Sequence, residues 1–213
     1  AERYKDNPSF GWISATGPNS HNGEIALPRS KEDETQWLSL VDNEELLKQK
    51  LLSAWFKTID AYCSAFQGKH FTLALISDSF PVGKDRTFEE DYKLQLVNYG
   101  NAKCKNVFGI QTNGLDGRPI FPIDKESMRH WQYIKDYAQQ TLTGFQTRSP
   151  NNFYPEGRKD TASDVKREIF QQAIIVNGLS RNPHFLELYE SAILDPDLAD
   201  IVEKAHERLI SKS

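Results

Sequence analysis

The strongest constraint on this chain is an alternation that runs along its length. Short strand-like segments at residues 10–16, 71–76, 106–111, 142–146 and 184–189 are separated by amphipathic, helix-like ones. The spacing predicts helices over 43–67, 88–101, 127–140, 163–179 and 197–211. In the first, Leu47, Leu51, Trp55 and Ile59 recur at helical intervals and form one apolar stripe. Gly178 reads as a helix stop, and Asp195-Pro196-Asp197 as a helix start with proline near the cap. Strand and helix in strict alternation imply a parallel sheet with helical crossovers. No linker or low-complexity stretch divides the 213 residues, so 1–213 reads as a single α/β domain with room for a sizeable core.

Two architectures fit five such units: an open doubly wound parallel sheet, or the last five units of an eight-unit parallel barrel, which needs about 250 residues. The two faces of the strands separate them. In 107–113, Phe108 and Ile110 share one face, and Val107, Gly109, Gln111 and Asn113 the other. In 142–146, Thr143 and Phe145 oppose Leu142, Gly144 and Gln146. In the last strand, Leu186 and Leu188 oppose Phe185, Glu187 and Tyr189. One face is large and apolar, as it must be beneath helices. The other is small and polar, which suits a crowded barrel interior better than a doubly wound sheet that is apolar on both faces. The expectation is therefore a parallel (β/α) barrel, five units of eight and so incomplete. Its open edges call for an N-terminal barrel portion or for self-association. Residues 18–42 and 148–161 read as long loops rich in Pro, Asn and Gly. Both follow strands, so both belong to the C-terminal rim.

Composition excludes several classes. A net charge of −4 leaves no electrostatic footprint for nucleic acid. No apolar run approaches the roughly 20 residues that span a bilayer. Cys63 and Cys104 are too few for a disulfide framework, and Cys63 falls on an apolar helix face. The five histidines show no ligand spacing, so no metal site is expected. Neither a Gly-rich phosphate loop nor a Gly-x-Ser-x-Gly elbow occurs, and no cofactor is expected. Ala1-Glu2-Arg3 does not read as a signal peptide, and the compartment stays open.

Arg3-Tyr4-Lys5-Asp6-Asn7-Pro8 followed by Trp12 resembles the approach to the fourth barrel strand in retaining β-glycosidases. Gly17-Pro18, with Gly23-Glu24 and Pro28, resembles the Gly-Pro…Gly-Glu loop of β-amylases, in which the glutamate is the general acid. The resemblance implies that the chain spans units four to eight of a (β/α)8-barrel glycoside hydrolase. Its substrate would be an oligosaccharide or glycoside, cleaved by a pair of carboxylates at the C-terminal rim. Two positions depart from the family. Thr16-Gly17 stands where strand four usually ends in Asn-Glu, and Gln146 stands where strand seven usually carries the nucleophile. An amide can neither form a glycosyl ester nor deprotonate water.

Glycosidic cleavage generally uses two carboxyl groups. Glu24 is the candidate acid, set among Asn19, His21 and Asn22; the bland alternative is a solvated loop glutamate. Glu187 is the candidate partner on the small, polar strand face, or else one half of a structural ion pair within a barrel. Glu190 is its alternative, or a cap for the next loop. Asn113 and Gln146 present amides that can donate to and accept from sugar hydroxyls, whereas Gln111 reads as a rim-satisfying group. Trp37 is the candidate stacking platform, while Trp55 and Trp131 read as core. With Gln146 in the nucleophile position, a non-catalytic sugar-binding or structural barrel is the alternative to the hydrolase.

Overall fold

A computed structural model describes residues 6–18, 20–21, 24–25, 30–75, 90–118, 129–148 and 163–211. Its contacts divide the chain into two compact units, Ala1–Ile110 with Gln140–Leu142, and Gln111–Gln139 with Thr143–Ser213. The expected stretch 1–8 is described only from Asp6 onward, and Asn19 and most of 148–161 lie outside the described residues.

The first unit is organised around a buried strand. Strands β1 (Trp12–Ser14), β2 (Ser20–His21) and β3 (Glu24–Ile25) precede helices α1 (Lys31–Leu38) and α2 (Glu44–Ala65). Strand β4 (His70–Ala74) and helix α3 (Glu90–Lys103) follow. β1 runs parallel to β4, Ile13 opposite Phe71. On the other side β3 joins β4 in parallel through Glu24 opposite Ala74, and β2 closes a short antiparallel hairpin onto β3. Phe71, Thr72, Leu73, Ala74 and Leu75 are all buried, as a strand covered on both faces requires. Helix α2 starts where Asn43 Oδ1 accepts from the Leu46 N–H at 2.9 Å, and it buries the expected stripe Leu47, Leu51, Trp55 and Ile59. Trp55 lies so close to the chain at Gly17 that a Cβ there would stand 2.7 Å from its ring. Helix α3 packs on α2 through a Phe56–Tyr99 stack at 4.0 Å, and the Tyr99 hydroxyl donates to Asp60 at 2.9 Å.

One expectation needs correcting here. Residues 18–42 are not a bare loop, because they hold the β2–β3 hairpin and α1. Helix α1 buries no side chain fully, so it shows no apolar stripe. Its signal is a capping box: Ser30 Oγ accepts from the Asp33 N–H at 3.1 Å, and Asp33 accepts from the Ser30 N–H at 3.2 Å.

Strand β5 (Phe108–Leu115) begins in the first unit and continues in the second, as does β6 (Leu142–Thr147). The second unit also holds α4 (Arg129–Tyr137), α5 (Ser163–Gln171), β7 (Phe185–Glu187), α6 (Glu190–Ile193) and α7 (Ala199–Ile210). β6 and β7 are parallel, Gly144 opposite Phe185 and Gln146 opposite Glu187. Where β5 and β6 end, the Arg148 N–H donates to the Leu115 carbonyl at 3.0 Å. On the helix-covered side, Trp131 and Phe145 meet edge to face at 6.4 Å, both fully buried. The helix expected over 163–179 is interrupted. After α5 the backbone widens into a π-helical turn, Gln172–Gly178, then tightens into a 3-10 turn, Leu179–Arg181. It stops at Asn182, which takes the left-handed conformation at φ 57°.

The five expected strands correspond to β1, β4, β5, β6 and β7; β1 runs parallel to β4 in the first unit and β6 parallel to β7 in the second, an α/β arrangement. No helix among the described residues is long and apolar enough to cross a membrane.

Candidate functional site

Alternation along the three strands of the second unit puts Gln111 and Asn113 of β5, Gly144 and Gln146 of β6, and Phe185 and Glu187 of β7 on the small, polar face. Gly144 is required there, because a Cβ would run into the Phe185 ring on the neighbouring strand. The register Gln146 opposite Glu187 sets their side chains next to each other. Gln146 Nε2 donates to Glu187 Oε1 at 2.8 Å, and Gln111 Nε2 donates to Glu187 Oε2 at 3.4 Å. Gln111 Nε2 also donates to Asn113 Oδ1 at 2.9 Å. Four residues named from sequence pattern alone therefore form one hydrogen-bonded group, with Glu187 as its carboxylate. Both carboxylate oxygens are held by amide donors, which fixes the plane of the group. Gln146 and Asn113 are half-buried, and their amides are groups that can both donate and accept hydrogen bonds.

A second cluster stands at the ends of β5 and β6. Asp116 is buried, and it binds two arginines. Its Oδ1 accepts from the Arg118 N–H at 3.1 Å, and its Oδ2 accepts from Arg118 Nε at 2.8 Å and from Arg148 Nε at 3.0 Å. The loop bearing Arg118 is tied down by Asn177, the buried end of the π-helical turn. Asn177 Nδ2 donates to the Asp116 carbonyl at 2.7 Å and to the Arg118 carbonyl at 2.9 Å. Such π turns often mark functional sites, and here the wide turn carries Asn177 to this loop. In sequence, Gly114-Leu115-Asp116-Gly117 after a strand reads as a turn signal. The signal beside it is an Asp and two Arg, each within three residues of a strand end.

The remaining expected site residues fall elsewhere. Glu24 and His21 pair with each other across the β2–β3 hairpin, and Glu24 stands in register with the last residue of β4; their side chains lie outside the described residues, as does all of Asn19. Trp37 is half-buried on α1, in the first unit. Glu190 opens α6, exposed at a helix N-terminus where negative charge is favoured, and it makes no hydrogen bond to the Glu187 group. Trp55 and Trp131 are core, as expected. Cys63 is half-buried rather than buried. Cys104 is buried, and burial, with a hydrogen bond that its thiol shares with Cys63, pushes it well above the usual cysteine range. Among the described residues no group of three or more His, Cys, Asp or Glu could hold a metal ion.

The chain matches no family model, no curated protein and no solved structure.

Proposed function

We propose that the chain is the later part of a (β/α) barrel that acts on carbohydrate, cleaving glycosidic bonds, with Glu187 as one of its carboxylates. The observation that carries this reading is the group on the polar face of β5, β6 and β7. Glu187 is held by Gln111 and Gln146 beside Asn113, at the ends of parallel strands, where barrel enzymes place their chemistry. The resemblance of residues 3–28 to glycoside hydrolases supports it independently and supplies Glu24 as the proton donor. Glu187 then acts as base or nucleophile, with Gln146 and Gln111 donating to its oxygens. The amides of Gln146 and Asn113 hold the sugar hydroxyls.

A second reading, a sugar-binding protein without turnover, is favoured by Gln146 itself, an amide in the family's nucleophile position. A panel of chromogenic glycosides and oligosaccharides separates the two. Under the hydrolase reading, Glu24→Gln and Glu187→Gln each lower turnover by about 10²–10⁴, with binding kept. Ligand-dependent thermal stabilisation with no hydrolysis, indifferent to Glu24→Gln, overturns the hydrolase in favour of the binding protein.

A further inference from the structure

One buried carboxylate needs one guanidinium, yet Asp116 binds two. Its side chain is 3% exposed, while those of Arg118 and Arg148 are 47% and 42% exposed. Both arginines reach it through Nε, one from the loop after β5 and the other from the end of β6. Their terminal nitrogens have no partner among the described residues. Among the described residues, two guanidiniums against one carboxylate leave one positive charge in excess at the strand ends, in a chain whose net charge is −4. Two guanidiniums held against one carboxylate also repel each other. A structural role for Asp116 is met by Arg118 alone, which grips it from both backbone and side chain, so the Arg148 pairing adds charge that the fold does not require.

The pair is also built to stay in place. Arg118 is held through its own N–H and through the carbonyl bonds from Asn177. Arg148 lies over Gly114, where a Cβ would stand 3.6 Å from its Nε; Gly114 has φ 92°, a conformation that favours glycine. A guanidinium pinned at Nε presents its two terminal nitrogens as a planar fork, which matches the oxygens of carboxylate, sulfate or phosphate. Arg148 follows Gln146 by two residues, about 6.5 Å along a strand. One pyranose with an exocyclic acid group can bridge that span. Glu187 stands a step back from the rim, at the level of Gln146, so an anion is admitted at the arginines and repelled below them.

We infer that Arg118 and Arg148 form a receptor for an anionic substituent on the ligand of the Gln111–Gln146–Glu187 group, making the substrate an acidic sugar: a hexuronate, or a sulfated or phosphorylated one. This rests on the carbohydrate reading above. The test is titration calorimetry on the full chain with glucuronate, galacturonate, their neutral parents glucose and galactose, and inorganic sulfate and phosphate. The expected result is hexuronate binding at least tenfold tighter than that of the neutral sugars, weakened by salt. Arg148→Gln and Arg118→Gln each remove most of that preference and leave neutral-sugar binding alone. Arg148→Lys keeps the charge without the fork and retains part of the preference; it stands in if Arg148→Gln fails to fold, as a thermal melt shows. Equal binding of acidic and neutral sugars, indifferent to both arginines but lost in Gln146→Ala, overturns the acidic-substrate inference and leaves the carbohydrate reading intact. Sulfate and phosphate binding as tightly as hexuronates, unaffected by Gln146→Ala, overturns the sugar reading instead. An anion site with no sugar attached to it is then all that survives.

Discussion

Glu187 is the residue on which stability and chemistry can be separated. Replacing it with leucine removes two acceptors at once. The 2.8 Å bond from Gln146 is charge-assisted and contributes about 1.5–3 kcal/mol, whereas the 3.4 Å bond from Gln111 is too long to add much. Gln111 keeps its second acceptor, Asn113, so it is not orphaned by the change. Glu187→Leu should therefore destabilise the protein by about 2 kcal/mol. Glu187→Gln keeps the shape and one acceptor oxygen and loses only the charge assistance, about 1 kcal/mol. For a chain of this size, each kcal/mol moves the unfolding midpoint by roughly 2–4 °C. Calorimetric or circular-dichroism melts should give midpoints about 4–8 °C lower for Leu and about 2–4 °C lower for Gln. Two variants that melt together with the parent would show that the amide–carboxylate group is not held as described. The catalytic arm is independent of this. A loss of turnover of about 10²–10⁴ in Glu187→Gln, far beyond its small stability effect, marks chemistry, whereas a loss that tracks unfolding marks structure alone.

Gly144→Ala places a Cβ in the Phe185 ring and should destabilise by about 1–3 kcal/mol, an effect that Phe185→Leu relieves; strictly additive denaturation midpoints for the pair would refute the close approach. The Asp195 and Asp200 carboxyls are held below the usual aspartate range by hydrogen bonds from Lys166 and Arg167. Lowered values stabilise the fold above the ordinary aspartate pKa of about 4 and lose that contribution as pH falls through the folded-state values, so Asp195→Asn with Asp200→Asn should flatten the acid loss of stability. An acid titration in which parent and double variant fall in parallel would sink this. With a thiol reagent at pH 8, half-buried Cys63 should react in the native protein and Cys104 only after denaturant is added. Equal native rates for the two would contradict the burial that holds Cys104 protonated.

The parts of the fold legible in sequence were those that rest on periodicity. The stripe Leu47, Leu51, Trp55 and Ile59 became the buried face of α2 because it needs only helical spacing and a cap at Asn43. The alternation Gly144/Gln146 against Thr143/Phe145 gave the correct faces of β6, and so brought Gln146 toward Glu187, because a strand has period two and permits no third choice. What was not legible had no periodic signal. Helix α1 buries no side chain fully and is specified by Ser30 and Asp33 rather than by an apolar stripe. The π-helical turn depends on Asn177 finding carbonyls 59 and 61 residues earlier in the chain, a contact that no local window contains. Asp116 looked like turn chemistry because its two arginine partners come from different strand ends.

Gln146 is the residue that tells most strongly against a hydrolase when read alone, and its register changes what it means. β6 and β7 are parallel, and Gln146 stands directly opposite Glu187. Neighbouring strands lie about 4.7–4.9 Å apart, so the carboxylate absent from the end of β6 is present one strand over, at the same depth and on the same face. The amide is then not an inert replacement. It donates to Glu187 Oε1 at 2.8 Å, a task that a glutamate at 146 could perform only if protonated, since two carboxylates at that spacing repel each other. Glutamine at 146 and glutamate at 187 are thus a matched pair, each explaining the other. Under the hydrolase reading, the register makes Glu187, rather than position 146, the residue whose substitution is decisive.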